Sequence, residues 1–220
     1  MAADLALLVP SLVPVPLDRG QVLIEPGQPI RELVFPESGF VSVVTGRSGG
    51  EVEIALLGCE GLVGAVPSLL GIDRTPDTSV VQAAGRGYRI RLEALETAVD
   101  RSPTLRRLLL TFVHTLYIQT AQTARTNLTD NLEARLARWL LMCQDRLGGS
   151  DIAVTHEFLA VVLGVQRSSV TVAIQMIEGR ALIKARRGRI HVVDRRGLEA
   201  VAGTSYGLPE AEYARLIEAE

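Results

Sequence analysis

The sequence predicts an α+β fold in three parts: an N-terminal antiparallel β-roll, one long helix, and a compact helical unit closed by a basic strand pair. Three observations predict it. Short β-prone runs recur roughly every ten residues over 18–92, the spacing of a roll or barrel and not of strands alternating with helices. After Leu92 the apolar period becomes that of a helix. Charge is also segregated: residues 1–100 hold seven Arg and thirteen acidic residues, whereas 101–220 hold sixteen basic and twelve acidic ones.

The roll is expected from the runs QVLI, ELVF, FVSVV, EVEIALL, SVVQAA and YRIRL, parted by turn chemistry at PG, ESG, RSGG, GCEG and GRG. Ser102-Pro103 then reads as a helix start, a hydroxyl cap followed by proline in the first turn. Apolar residues at 105, 108, 109, 112, 113 and 116 share one face, and the helix can continue to Asn127 with a polar second half. An apolar stripe on a long helix between two domains needs a partner, and a second copy is the simplest. Leu105, Leu109, Phe112, Leu116, Thr120 and Thr123 are therefore the expected homodimer interface. The alternative is a stripe that packs only on its own roll.

A second helix is expected over 132–147, with Leu132, Leu136, Trp139, Leu140, Cys143 and Leu147 on one face and Gly148-Gly149 ending it. THEFLAVVL and QRSSVTVAIQMIEGR follow as two short helices joined through Gly164, then the strand pair ALIKARRGRIHVV turning at Arg187-Gly188. That order is the layout of a winged helix-turn-helix. Phe158, Leu159, Val162 and Leu163 give the first helix an apolar face, and Val165, Val170, Ile174 and Ile177 give the second one to match. Gln166, Arg167, Ser168, Ser169 and Thr171 are left polar at the N-terminal end of the second helix, the end that enters the major groove in such units. An Arg there can pair with both acceptors of guanine, and hydroxyls suit phosphate oxygens. Lys184, Arg186, Arg187 and Arg189 on the strand pair would reach phosphates; over 164–200 eight basic residues face three acidic ones. The expected domains are a sensor roll at 1–100, a dimerisation helix at 101–128, a DNA-binding unit at 129–203, and a tail at 204–220 with a helix signal from Pro209 and no assigned role.

Composition narrows the function. Apolar content of 47% and charged content of 22% are ordinary for a globular chain, and no apolar run reaches the roughly 20 residues of a membrane span. The segment MAADLALLVP has no basic residue before its apolar stretch and does not read as a secretory signal, so the expected location is the cytoplasm. Two cysteines, Cys59 and Cys143, cannot make a four-thiolate cluster. Three histidines, none within 1–113, leave no cupin-like metal site and no Ser/His/Asp arrangement. No catalytic residue, metal or cofactor is expected, and the chain does not read as an enzyme.

VLIEPGQPIRELVFPESGFVSVV, with its turn glycines Gly27 and Gly39, and VTHEFLAVVLGVQRSSVTVAIQMIEGRALI resemble the Crp/Fnr family of bacterial transcription regulators. The resemblance covers nearly the whole chain. It implies a cyclic-nucleotide-binding-like roll, a homodimer joined through Ser102–Asn127, double-stranded DNA as partner, and RNA polymerase as a further partner if the protein activates. It places Arg167 at a base-reading position. Ser168 stands where cAMP-type members often carry Glu, and Val172 where an Arg often follows, which implies a different operator.

In cyclic-nucleotide members a Gly-Glu pair precedes a short helix, and an Arg with a hydroxyl residue follows to hold the cyclic phosphate. The resemblance thus marks Gly64, Ala65, Arg74, Thr75, Thr78 and Thr120 as the candidate pocket. Ala65 replaces the ribose-binding Glu. Counted forward, Arg74-Thr75 falls one residue from the phosphate-binding pair; counted back from SVVQAA, Asp77-Thr78 falls there instead. Thr120-Ala121 supplies one of the two hydroxyls expected for the base. The expectation is a pocket degenerate for cyclic nucleotides, holding a different small ligand or none. A regulator dependent on cAMP or cyclic GMP is the alternative, and a ligand-binding module without DNA binding a further one. Among the family's other sensors, a haem would have only Cys59 and His114 near the roll as ligands.

Overall fold

The structure is a computed structural model that describes residues 2–46 and 50–218, so the RSGG turn and both chain ends lie partly outside the described residues. The N-terminal half runs α1 (Ala2–Leu8), β1 (Val13–Leu17), β2 (Val22–Ile24), β3 (Glu32–Pro36), β4 (Phe40–Thr45), β5 (Val52–Leu57), α2 (Ala65–Leu69), β6 (Thr78–Ala83), β7 (Gly85–Arg91) and α3 (Leu92–Arg101). The strands form two antiparallel sheets, in the orders β1-β7-β3 and β2-β6-β4-β5. Leu17, Leu33, Val41, Leu57, Val81 and Ile90 fill the space between them.

All six expected runs are strands, but the first strand, β1, lies before them. Its sequence VPVPL reads poorly as β-structure because proline donates nothing to a ladder. Pro14 and Pro16 are two residues apart, so both missing donors point to the same side, and β1 is an edge strand that pairs with β7 alone. At the ESG turn, Gly39 has φ +75°, and a Cβ there would stand 2.4 Å from the Ala83 carbonyl oxygen, so this position requires glycine.

The long helix α4 spans Pro103–Thr129, and the Ser102 hydroxyl accepts from the Leu105 N–H at 3.2 Å. Leu105, Leu109, Phe112 and Leu116 are buried in the core of the chain's own roll. This corrects their assignment to a dimer interface: each side chain loses roughly 1.5–3 kcal/mol of burial if turned to solvent, and the roll already covers it. Thr120 and Thr123 are half-buried, and their hydroxyls donate back to the carbonyls of Leu116 and Gln119. A second face of α4 is left uncovered. Leu110, His114, Tyr117, Ala121, Ala124 and Leu128 are all exposed, spaced alternately four and three residues apart. Tyr117 is 67% and Leu128 89% accessible.

Asp130 and Asn131 break the helix, and Asn131 caps α5 (Leu132–Leu147) by accepting from the Ala134 N–H at 2.9 Å. After Gly148 come β8 (Asp151–Ala153), α6 (His156–Leu163), α7 (Arg167–Gly179), β9 (Ile183–Arg186), β10 (Arg189–Val192), α8 (Arg195–Ala202) and α9 (Leu208–Tyr213). The expected strand pair gains a third member, with order β8-β10-β9. Leu136, Leu140, Leu159, Val170, Ile174 and Ile190 are core residues of this half. Phe40 and Leu56 of the roll join the same cluster, and Phe40 meets Trp139 edge-on at 6.4 Å, so the two halves pack directly.

The polar second half of α4 has structural partners. The Gln119 side chain accepts from the Leu56 N–H at 2.7 Å and donates to the Leu56 carbonyl at 3.2 Å. Gln122 donates to the carbonyls of Thr204 and Ser205 in the tail, and the Tyr213 hydroxyl donates to the Glu60 carbonyl at 3.1 Å. The tail therefore straps the C-terminal half to both α4 and the roll.

Candidate DNA interface and sensor pocket

Helix α6 starts at Thr155, whose hydroxyl accepts from the Phe158 N–H at 3.2 Å, and ends at Gly164 with φ +60°. The bend to α7 is 101°, within the range of helix-turn-helix units. Val170, Ala173, Ile174 and Ile177 face inward, which turns the opposite face of α7 outward. Gln166 sits at the N-cap without capping, so its side chain is available, and Arg167 and Ser168 are exposed beside it. Arg167 pairs with Glu157 of α6 at 2.9 Å, both side chains being mostly in solvent. Ser169 is half-buried. Thr171 is also half-buried; its hydroxyl donates to the Arg167 carbonyl and lies 3.0 Å from His156 Nδ1, which suits it to holding the helix start more than to reaching a base.

Lys184, Arg186, Arg187 and Arg189 are all exposed on the wing, which turns at Arg187-Gly188. Asp151 on β8 lies 3.9 Å from Arg189 and 3.3 Å from His191, so one carboxylate tempers the wing's charge. Residues 166–168 and the wing share one unit and one absence of cover. The same exposed face also carries Val172 and Met176.

In the roll, a cavity of about 350 Å³ lies between the sheet, α2 and α4. Gly64, Ala65, Thr75 and Thr120 line it, as expected, together with Asp77 and Ser79. Arg74 and Thr78 do not. Arg74 is turned outward, 58% exposed, and bonds the Gly27 carbonyl at 3.3 Å and Asp73 at 3.6 Å. Thr78 opens β6, paired with Val44. One member of each counted pair, Thr75 and Asp77, lines the cavity, so a carboxylate stands there and none of the described lining residues is an arginine. Asp77 accepts from the Thr75 hydroxyl at 3.0 Å.

A third polar cluster, missed by the sequence reading, joins the two halves. The Trp139 indole N–H donates to Glu53 Oε1 at 2.8 Å, with both side chains buried. Burial pushes the Glu53 carboxyl up to about 7, against the opposing pull of Ser42, Trp139, Arg138 and Arg146. Ser42 lies close enough to favour the ionised form, although its hydroxyl makes no aligned hydrogen bond. Burial likewise pushes the Arg138 guanidinium below its ordinary value. EVEIALL hides this cluster: strict alternation would put Glu53 with Ala55 and Leu57, but the register shift between Val43 and Val44 turns Glu53 to the side of Leu56 and Trp139.

Among the described residues no group of three or more His, Cys, Asp and Glu is placed to hold a metal ion, and no single helix is long and apolar enough to cross a membrane. Cys59 is an exposed turn thiol, and Cys143 is buried.

Residues 14–102 match the model of the cyclic nucleotide-binding domain, and residues 134–201 match that of the Crp-like helix-turn-helix domain. The chain belongs to the Crp/Fnr family of transcription regulators. A Crp/Fnr-family regulator from Eubacterium rectale is similar in fold at 18% identity, covering 92% of this chain and 94% of its own, with TM-score 0.72. FixK2 from Bradyrhizobium japonicum shares 13% identity over 86% and 96% of the two chains, with TM-score 0.73. The c-di-GMP responsive global regulator CLP of Xanthomonas campestris shares 17% over 87% and 99%, with TM-score 0.70. Among curated proteins none matches the sequence. This Crp/Fnr chain thus carries a cyclic nucleotide-binding domain and a helix-turn-helix on the fold expected from its sequence.

Proposed function

We propose that this protein is a homodimer that reads a pseudo-palindromic duplex with the N-terminal end of α7, and that its roll pocket does not take cyclic nucleotides. The observation that carries the reading is the uncovered end of α7: Gln166, Arg167 and Ser168 point to solvent while the opposite face is core. Arg167 would read a base, and Lys184, Arg186, Arg187 and Arg189 would neutralise phosphates, giving an affinity that falls steeply with salt. The exposed stripe from Leu110 to Leu128 has the alternating spacing of a coiled-coil seam, which supports pairing with a second copy. Half-sites would then lie about one helical turn apart, roughly 34 Å. In the pocket, Ala65 offers nothing to a ribose, and Asp77 would repel a phosphate. The protein would act in the cytoplasm as a regulator and not as an enzyme, with RNA polymerase as a further partner if it activates.

The match of residues 14–102 to the cyclic nucleotide-binding domain favours a second reading, a regulator switched by cAMP or cyclic GMP. In vitro selection of duplex sites by the purified protein, with and without each nucleotide, decides between them, with sedimentation giving the oligomeric state. The main reading expects a dimer and a symmetric site whose affinity neither nucleotide alters. A monomer that ignores every duplex would overturn it, and a nucleotide-dependent site would establish the second.

A further inference from the structure

The roll cavity is walled by Ile24, Val43, Ile54, Leu57, Leu62 and Val113, and none of the described residues lining it is basic. Its polar side chains are Thr75, Asp77 and Ser79, with Thr120 and Tyr117 on α4. Thr120 already donates to the Leu116 carbonyl, and Thr75 already donates to Asp77. The carboxylate keeps acceptor capacity beyond that one bond, since an ionised carboxylate offers about four lone-pair sites. A volume of about 350 Å³ falls within the range of small-ligand sites, about 300–1,000 Å³.

We infer that the cavity binds a small, chiefly apolar organic molecule, uncharged or cationic, that directs a hydrogen-bond donor at Asp77. This rests on the reading of the pocket as degenerate for cyclic nucleotides and names the class that takes their place. The walls supply affinity through burial, and the carboxylate supplies orientation and rejects anions. The occupant would touch Val113, Leu116, Tyr117 and Thr120, which places it against the helix whose exposed stripe includes Tyr117. Occupancy and the packing of that stripe would then be coupled.

A matched pair of fluorescent probes tests the class. N-phenyl-1-naphthylamine is uncharged and carries one N–H donor; 1-anilinonaphthalene-8-sulfonate has the same rings with an added anionic group. Full-length dimeric protein is expected to bind the uncharged probe saturably, one per chain, and the sulfonate about tenfold or more weakly, because a carboxylate faces it in an apolar surround. Asp77→Asn should narrow that gap. Val66→Trp, at a lining position that is 39% exposed, should abolish the binding without altering the melting temperature. Excess cAMP or cyclic GMP should displace nothing.

Equal binding of the two probes, displacement by a cyclic nucleotide, or binding unaffected by Val66→Trp would each overturn the inference. So would binding seen only at concentrations where the dimer dissociates, since a second copy would then fill the cavity. Site selection on DNA stands apart from these readouts. Its failure would sink the regulator and leave the probe result intact, whereas displacement by cAMP would sink the pocket reading alone.

Discussion

Helices α4 and α7 both leave apolar side chains in solvent, and the two sets differ in length and in company. On α4 the exposed stripe runs from Leu110 to Leu128, about 27 Å of helix, with small or apolar residues at nearly every seam position. On α7 there are two such residues, Val172 and Met176, beside Arg167, Ser168 and Gln175. A continuous seam fits another seam of the same kind. An isolated pair next to a guanidinium fits a surface that is mostly polar with scattered methyl groups, which describes the major groove. The inward faces of both helices are core, and the proposed roles rest on the outward ones.

The sharpest way to break that comparison is at adjacent residues of α4. Leu109 lies in the roll core, so Leu109→Ala should lower stability by roughly 2–5 kcal/mol in denaturant titrations while the folded fraction stays dimeric. Leu110 lies on the exposed stripe, so Leu110→Glu should sediment as a folded monomer at micromolar concentration and lose any dependence of the melting temperature on protein concentration. A dimeric Leu110→Glu protein would place the self-association surface elsewhere.

The junction between the halves adds a pH dependence. Burial raises the Glu53 carboxyl from its value in the unfolded chain to about 7, so the folded protein keeps it protonated in mild acid and loses that proton around neutrality. A raised acid binds its proton more tightly when folded, so its contribution is fully present below the unfolded value and is lost as pH rises through 7. The difference in unfolding free energy between wild type and Glu53→Gln should therefore shift by on the order of 3 kcal/mol between pH 4.5 and 8. Gln keeps an acceptor for the Trp139 N–H. Asp4, held down at about 2 by the Ser102 and Thr104 hydroxyls, works with the opposite sign and at lower pH, so it does not enter this window. A pH-independent difference would mean Glu53 is ionised when folded.

The sequence announced the helix-turn-helix because its information is periodic. The spacing of Val170, Ile174 and Ile177 fixes the inward face, and Arg167 is then outward by geometry. The pocket was harder, because Arg74 and Asp77 lie in one loop and nothing periodic says which turns inward; Asp77 lines the cavity while Arg74 is held outside by the Gly27 carbonyl and Asp73. On α4 the difficulty was excess: two apolar stripes coexist, and the richer one, Leu105 to Leu116, looked like the dimer face because the roll's demand for a cover is invisible in the helix alone. Strand β1 hid behind its prolines, and Glu53 looked like an ordinary polar residue of a strand.

On α7 the expected effects are smaller and resolved by position. Arg167→Ala should lose about 1–3 kcal/mol at one base position of the selected site, read from binding to single-substituted duplexes. Uniform weakening across all duplexes would make Arg167 a phosphate contact. Binding by wild type also has to release Arg167 from Glu157, 2.9 Å away, so the measured loss includes that exchange.

Val172 should give the smallest effect and the most specific one. It is 57% exposed, one turn after Ser168, and has no donor or acceptor to offer a base edge. The apolar group available in the major groove is the thymine C5 methyl, so Val172 should select thymine at one position of each half-site. Replacing that thymine by uracil removes the methyl and keeps every hydrogen bond; the loss should be about 0.8 kcal/mol or less, the value of one buried methylene. In Val172→Ala the thymine and uracil duplexes should bind alike, while the guanine preference set by Arg167 persists. If uracil costs the same in both proteins, the methyl is read by another residue, Met176 being next along the exposed face, and the outward side of α7 meets the groove one turn further along than its N-terminal end implies.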